Sequence, residues 1–146
     1  MPEPRSAHRT QWAAQFAVAS ELCKLDYRVA LTMGNHPVID LMVSSRSGKL
    51  FSIDVKGLYK KNFWAVRARP DQQDLFYVFA FVPDNEPNKF YIITQNQVND
   101  EIKNEIERAR LRARAKNRSD EKAESFPGVG WDFVRQFGNN WDILPK

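Results

Sequence analysis

From Arg28 onward, apolar and polar residues alternate along much of the chain. "RVALTM", "VIDLMVS" and "LFSIDVKG" place apolar side chains at every second position, the period of a strand with one buried face. "MGNHP" between the first two is a turn sequence. "SRSGK" between the second and third is a hairpin loop, with Gly48 available for a left-handed position. "FWAVRA" and "LFYVFAFVP" predict further strands, separated by the polar stretch "RPDQQD", and "KFYIIT" follows the turn "DNEPN". Two segments have the helical period instead. Thr10 to about Asp26 predicts a helix capped by Thr10, with Trp12, Phe16, Ala19 and Cys23 on one apolar face. Thr94 to about Arg118 predicts a long helix with a narrow stripe of Val98, Ile102, Ile106 and Ala109. It is acidic early and basic late, which suits the helix dipole. Residues 1–9 read as a flexible N-terminus and residues 119–130 as a loop. "WDFVRQFGNNWDIL" predicts a short helix anchored by Trp131 and Trp141. This order predicts a single α/β (α+β) domain over residues 1–146. Its central mixed sheet is flanked by an N-terminal helix and a long C-terminal helix.

The hairpin has a consequence for charge. If it is symmetric about Ser47, Asp40 faces Asp54, Val38 faces Lys56 and Met42 faces Ser52. One face then carries Ile39, Leu41, Val43, Phe51, Ile53 and Val55, all apolar, and predicts core. The other gathers Asp40, Asp54 and Lys56. Opposed residues have Cβ atoms about 4.5–5.5 Å apart, where like charges destabilise. Lys56 offsets one charge, and a bound divalent cation would offset more, because hard cations prefer carboxylate and carbonyl oxygens. An isolated D-x-K is also a common solvated surface pair. The alternation sets the two readings apart only if the register holds, since a slip of one residue turns Asp40 to the wrong face.

Composition narrows the class without choosing the function. The chain has 146 residues, 42% hydrophobic and 27% charged, with a net charge of +4. That balance is ordinary for a globular domain and permits a nucleic-acid partner without requiring one. One cysteine, Cys23, excludes an intramolecular disulfide and a cysteine-rich zinc site, and a reducing cytoplasmic compartment is the simplest expectation. The start "MPEPRSAHRT" has no apolar signal region, and no membrane partner is expected. His8 and His36 fall in no metal-ligand or triad spacing, and no glycine-rich phosphate loop is present.

Glu21 is a further acidic candidate. Its helical neighbours Ala14, Ala17, Val18 and Leu25 suit a carboxylate lining a cleft as well as an exposed helix glutamate. "ERARLRARAKNR" carries a run of cations including Arg108 and Arg112, either a solvated helix end or a phosphate-contacting surface. Lys60 and Lys61 directly follow the D-x-K strand, and Arg67 and Arg69 alternate on the next. Trp64 and Tyr59 read as core rather than base-stacking platforms.

"HPVID", "IDVK" and the helix segment "ASELCKLDYRVAL" together resemble the PD-(D/E)XK, or restriction-endonuclease-like, nuclease superfamily, and most nearly its small, resolvase-like members. The resemblance covers roughly residues 11–57. It departs in having Ile39 before the first aspartate, with Pro37 three residues earlier. Residues 58–74 read as strand and loop where the superfamily core has a helix. The resemblance implies a Mg²⁺- or Mn²⁺-dependent hydrolysis of DNA phosphodiester bonds. Asp40, Asp54 and the Val55 carbonyl would hold the metal, Glu21 would complete that site or a second, and Lys56 would orient the attacking water. Lys60, Lys61, Arg67, Arg108 and Arg112 are the expected nucleic-acid contacts. A non-catalytic binding or assembly module on the same fold is the alternative. By analogy with small nucleases that cut both strands, a homodimer is expected, with "FYVFAFV" or the C-terminal tryptophans as contact surfaces.

Overall fold

The computed structural model describes residues 3–119 and 127–146. Helix α1 (Ala7–Lys24) opens the fold, followed by β1 (Arg28–Leu31), β2 (Leu41–Ser44) and β3 (Leu50–Leu58). Then come the short β4 (Trp64–Ala65), β5 (Leu75–Phe81), β6 (Lys89–Thr94) and α2 (Gln95–Ala115). Beyond the undescribed residues lie β7 (Gly128–Val129), α3 (Trp131–Val134) and two 3₁₀ turns, Arg135–Phe137 and Trp141–Ile143. The main sheet has the order β1-β2-β3-β5-β6, and its only parallel neighbours are β3 and β5. β4 and β7 form a separate antiparallel ribbon. The α+β expectation, with a mixed central sheet between an N-terminal and a long C-terminal helix, holds. Among the described residues, no helix is long and apolar enough to cross a membrane.

The hairpin register is the expected one. Leu41 pairs with Ile53, Met42 with Ser52, Val43 with Phe51 and Ser44 with Leu50. The loop fixes it: Ser45 N–H donates to the Lys49 carbonyl (2.8 Å), the Gly48 amide donates to the Ser45 carbonyl (2.9 Å), and Gly48 takes φ +90°. Ile39, Leu41, Val43, Phe51, Ile53 and Val55 are all buried, together with Val78, Ala80 and Ile92, under α1. The opposite face buries Tyr77, Phe79, Phe81, Tyr91 and Ile93 against Val98 and Ile102 of α2 and against Trp64, Val129 and Val134. β5 is thus covered on both sides, which is why its sequence is continuously apolar. "FYVFAFV" therefore lies inside the sheet, buried except at Phe76, which is half-buried. Trp131 packs 4.6 Å from Trp64 and Trp141 5.7 Å from Phe90, so both tryptophans anchor the C-terminal segment.

Three local expectations are corrected. First, α1 begins at Ala7, and Ser6 caps it by accepting from the Arg9 amide (3.2 Å). Arg5 reaches the Val82 carbonyl and Asp84, so the described part of the segment 1–9 is engaged with the domain. Second, α1 buries Ala14, Val18 and Leu22, whereas Phe16 and Cys23 face outward and Trp12 stacks on Phe16 outside (5.8 Å). The cause is close approach. A Cβ on Gly57 would stand 2.7 Å from the Ala14 Cβ and 3.2 Å from the Thr10 carbonyl, so only small residues fit where the helix crosses β3. Third, "FWAVRA" yields only the two-residue β4, which pairs with β7 rather than joining the main sheet. Residues 59–74 cross from β3 to β5 without a helix, as their sequence indicates. Within the expected loop 119–130, Gly128 and Val129 are strand, and residues 120–126 lie outside the described residues.

Candidate active site

Asp54 and Lys56 share the α2-side face of β3, opposite Tyr77 and Phe79 of β5. Asp54 is only 2% exposed, and both of its oxygens are engaged. Lys56 Nζ lies 3.2 Å from Oδ1, and Arg69 Nη1 lies 3.2 Å from Oδ2. Asp40 arrives from the end of β2. The strand ladder stops at Leu41, and the Asp40 amide donates to the Ile53 carbonyl (3.0 Å). Its carboxylate then takes the next β3 amide, Val55 N–H (2.8 Å). The hairpin register brings Asp40 opposite Asp54, close enough for the Asp54 charge to act on the Asp40 carboxyl. The local turn that aims Asp40 is closed by His36, whose Nδ1 accepts from the Val38 and Ile39 amides (3.1 and 2.9 Å). Val38 is accordingly in that turn and not paired with Lys56.

Burial governs the titration of the pair. Asp40 rises from the ordinary 3.8 to about 6, because desolvation and the Asp54 charge outweigh the Val55 amide and Lys56. Asp54 is also pushed up by burial, against the pull of Lys56 and then Arg69. Both carboxyl groups therefore hold a proton more readily than ordinary carboxylates, chiefly because they are buried.

Helix α1 supplies amides here. Gln15 Nε2 donates to Asp40 Oδ1 (3.2 Å). Gln11 satisfies the stretch of β3 that β2 does not reach, donating to the Val55 carbonyl (2.6 Å) and accepting from the Gly57 amide (3.2 Å). Glu21 is not brought to the pair. It lies six residues beyond Gln15, roughly 9 Å along the helix axis, and its ion-pair partner is Lys24 (3.3 Å). The Val55 carbonyl stays beside Asp40, though Gln11 already occupies one of its lone pairs.

Arg69 is held by α2 through its own backbone. Asn99 accepts from the Arg69 amide (3.3 Å) and donates to its carbonyl (2.8 Å). One turn earlier, Gln95 does the same for Gln72 and Pro70 (2.7 and 3.1 Å). Both amides are buried, and the Thr94 capping box fixes the start of the helix that carries them. Buried polar residues at i and i+4 on an otherwise apolar helix face are the sequence signal that marks this clamp.

Next to the pair is a cleft of about 500 Å³ lined by Lys56, Phe63, Ala65, Val66, Arg67, Arg69 and Pro127. Arg67 is thus where a phosphate contact was expected. Lys60 and Lys61 are exposed on the loop after β3 but do not line the cleft, and Lys60 lies over the Tyr59 ring (5.4 Å). Arg108 and Arg112 do not line the cleft. Arg108 pairs with Glu101 and Glu105, and Arg112 with Glu105 (2.9 Å), on a different surface of α2. These pairs outweigh burial and lower the Glu105 pKa. Trp64 is core, as expected.

No family model, curated protein or solved structure matches this chain.

A hard dication of the Mg²⁺ type would have to draw on Asp40 and Asp54, and Asp54 is already paired with Lys56 and Arg69. Two carboxylates meet, and the Gln15 Oε1 beside them is buried without a hydrogen-bond partner. Among the described residues, no group of three or more His, Cys, Asp or Glu side chains forms a metal cage. Mg²⁺ characteristically takes one or two carboxylates and fills its remaining positions with water and substrate phosphate oxygens.

Proposed function

We propose that the chain is a metal-dependent nuclease of the PD-(D/E)XK type that hydrolyses DNA phosphodiester bonds. The observation that carries this reading is the Asp40–Asp54 carboxyl pair, tied to Lys56 at the wall of a cleft lined by three cations. Asp40, Asp54 and the Val55 carbonyl would hold Mg²⁺ or Mn²⁺. When bound, such a cation supplies Lewis acidity and a water of lowered pKa. Lys56 sits one strand period from Asp54, so its ammonium orients a water in the cleft and stabilises charge developing on phosphorus. Arg69 spends one N–H on Asp54 and has further donors for a phosphate oxygen, while Arg67 places the backbone. Gln11 and Gln15 hold the β3 edge and Asp40 in place.

A second reading has its own support. Asp54 is nearly inaccessible, and Lys56 and Arg69 already neutralise it. That closed cluster also suits a non-catalytic nucleic-acid-binding or assembly module. Titration with Mg²⁺ and Mn²⁺ separates the two. A nuclease site gains thermal stability with metal through linkage, and Asp40→Asn gains less. Melting of the parent that neither metal shifts at any concentration would favour the module and count against the nuclease.

A further inference from the structure

We infer that the cleft beside Lys56 takes an unpaired nucleotide, its base stacked on Phe63 and its phosphates on Lys56, Arg67 and Arg69. This rests on the nucleic-acid reading above and narrows it to single-stranded or locally unpaired substrate.

Phe63 is a large aromatic that stays 49% exposed, although Trp64 and Val66 just after it feed the core. Its ring is seated on backbone. A Cβ on Gly128 would stand 2.7 and 2.9 Å from Phe63 Cδ2 and Cε2, and 2.4 Å from the Trp64 carbonyl. The β4–β7 pairing, Trp64 with Val129 and Ala65 with Gly128, holds that glycine against the ring. One side of Phe63 is thus supported by the Gly128 backbone, and the ring forms part of the cleft wall. Ala65, Val66 and Pro127 add apolar surface, and Lys56, Arg67 and Arg69 bring positive charge to the same space. A supported aromatic among cations is the arrangement by which proteins hold single strands: bases stack on the ring while cations follow the phosphates. A base inside a duplex has both faces covered by its neighbours and cannot use such a platform.

The test is fluorescence anisotropy in EDTA, where metal-dependent cleavage is absent. The probes are one labelled DNA strand, the same strand with abasic residues at its centre, and its duplex. The intact strand is expected to bind about tenfold or more tightly than the abasic strand or the duplex. Phe63→Leu is expected to weaken the intact strand roughly 5- to 150-fold, the range for one lost stacking contact, and to leave the abasic strand unchanged. Phe63→Trp is expected to restore binding. Melting curves of both variants check the fold. Equal affinity for all three probes, or an intact strand indifferent to Phe63→Leu, would overturn the stacking inference. If Arg67→Ala still weakened every probe alike in that case, the nucleic-acid reading would stand without it. Failure to bind any probe would remove both.

Discussion

Replacing Asp40 with asparagine should make the metal-free protein more stable at neutral pH, and the gain should vanish in acid. Asparagine keeps an oxygen for the Val55 amide and places an N–H beside Gln15, whose otherwise unpartnered Oε1 can turn to accept it, but it carries no charge. In the folded protein the Asp40 pKa rises from the ordinary 3.8 to about 6, chiefly through burial and then the Asp54 charge. A raised carboxylate pKa means that the folded state binds the proton more tightly than the unfolded state. Stability from the protonated form is therefore complete below about pH 4 and lost as pH rises through about 6. At about 1.4 kcal/mol per pKa unit, the shift sets a ceiling of roughly 3 kcal/mol. Asp40 lies at the end of β2, partly open to solvent, and screening brings the expected difference to about 1–2 kcal/mol. Urea unfolding of parent and Asp40→Asn in EDTA, from pH 4.5 to 8, measures it. The two curves should draw together toward the acid end and separate mainly between about pH 4 and 6, with the variant more stable above that. Parallel curves across the whole range would refute the raised Asp40 pKa and the burial argued to cause it.

Further outcomes are expected. Gly57→Ala should lose about 1–3 kcal/mol in chemical denaturation, because its methyl overlaps the Ala14 Cβ on α1. Asn99→Ala should cost about 1–3 kcal/mol by freeing the Arg69 amide and carbonyl. It should also weaken oligonucleotide binding in a filter assay, since Arg69 is no longer held at the cleft. Arg108→Ala and Arg112→Ala should leave that binding within about twofold, whereas Arg67→Ala should lower it and reduce the salt dependence by about one phosphate contact.

Much of the site was legible because it is local. A hairpin with one apolar face has one acceptable register, so the alternation of residues 39–55 placed Asp40 beside Asp54. The helix face was misread because Trp12, Phe16 and Cys23 outrank alanine in any apolar pattern. Contact distance at Gly57 favours the small face instead. Glu21 failed for a related reason: its distance along α1 from the β3 crossing depends on where the helix meets the sheet. Gln11 and Gln15 stand at that crossing. Arg69, Gln95 and Asn99 act together only because a crossover brings residues far apart in sequence to one place. His36 has a local role in aiming Asp40, and no ligand spacing would reveal it.

We propose that Asp40, Asp54 and Lys56 form a metal-dependent phosphodiester-cleaving site. Gel-resolved cleavage tests it most directly, using linear, circular, single-stranded and branched DNA with Mg²⁺ or Mn²⁺, and the parent beside Lys56→Ala and Asp54→Asn. The account predicts cleavage by the parent that requires the metal and is lost in both folded variants. A parent inert on every substrate, or a Lys56→Ala protein that cuts as well as the parent, would contradict it.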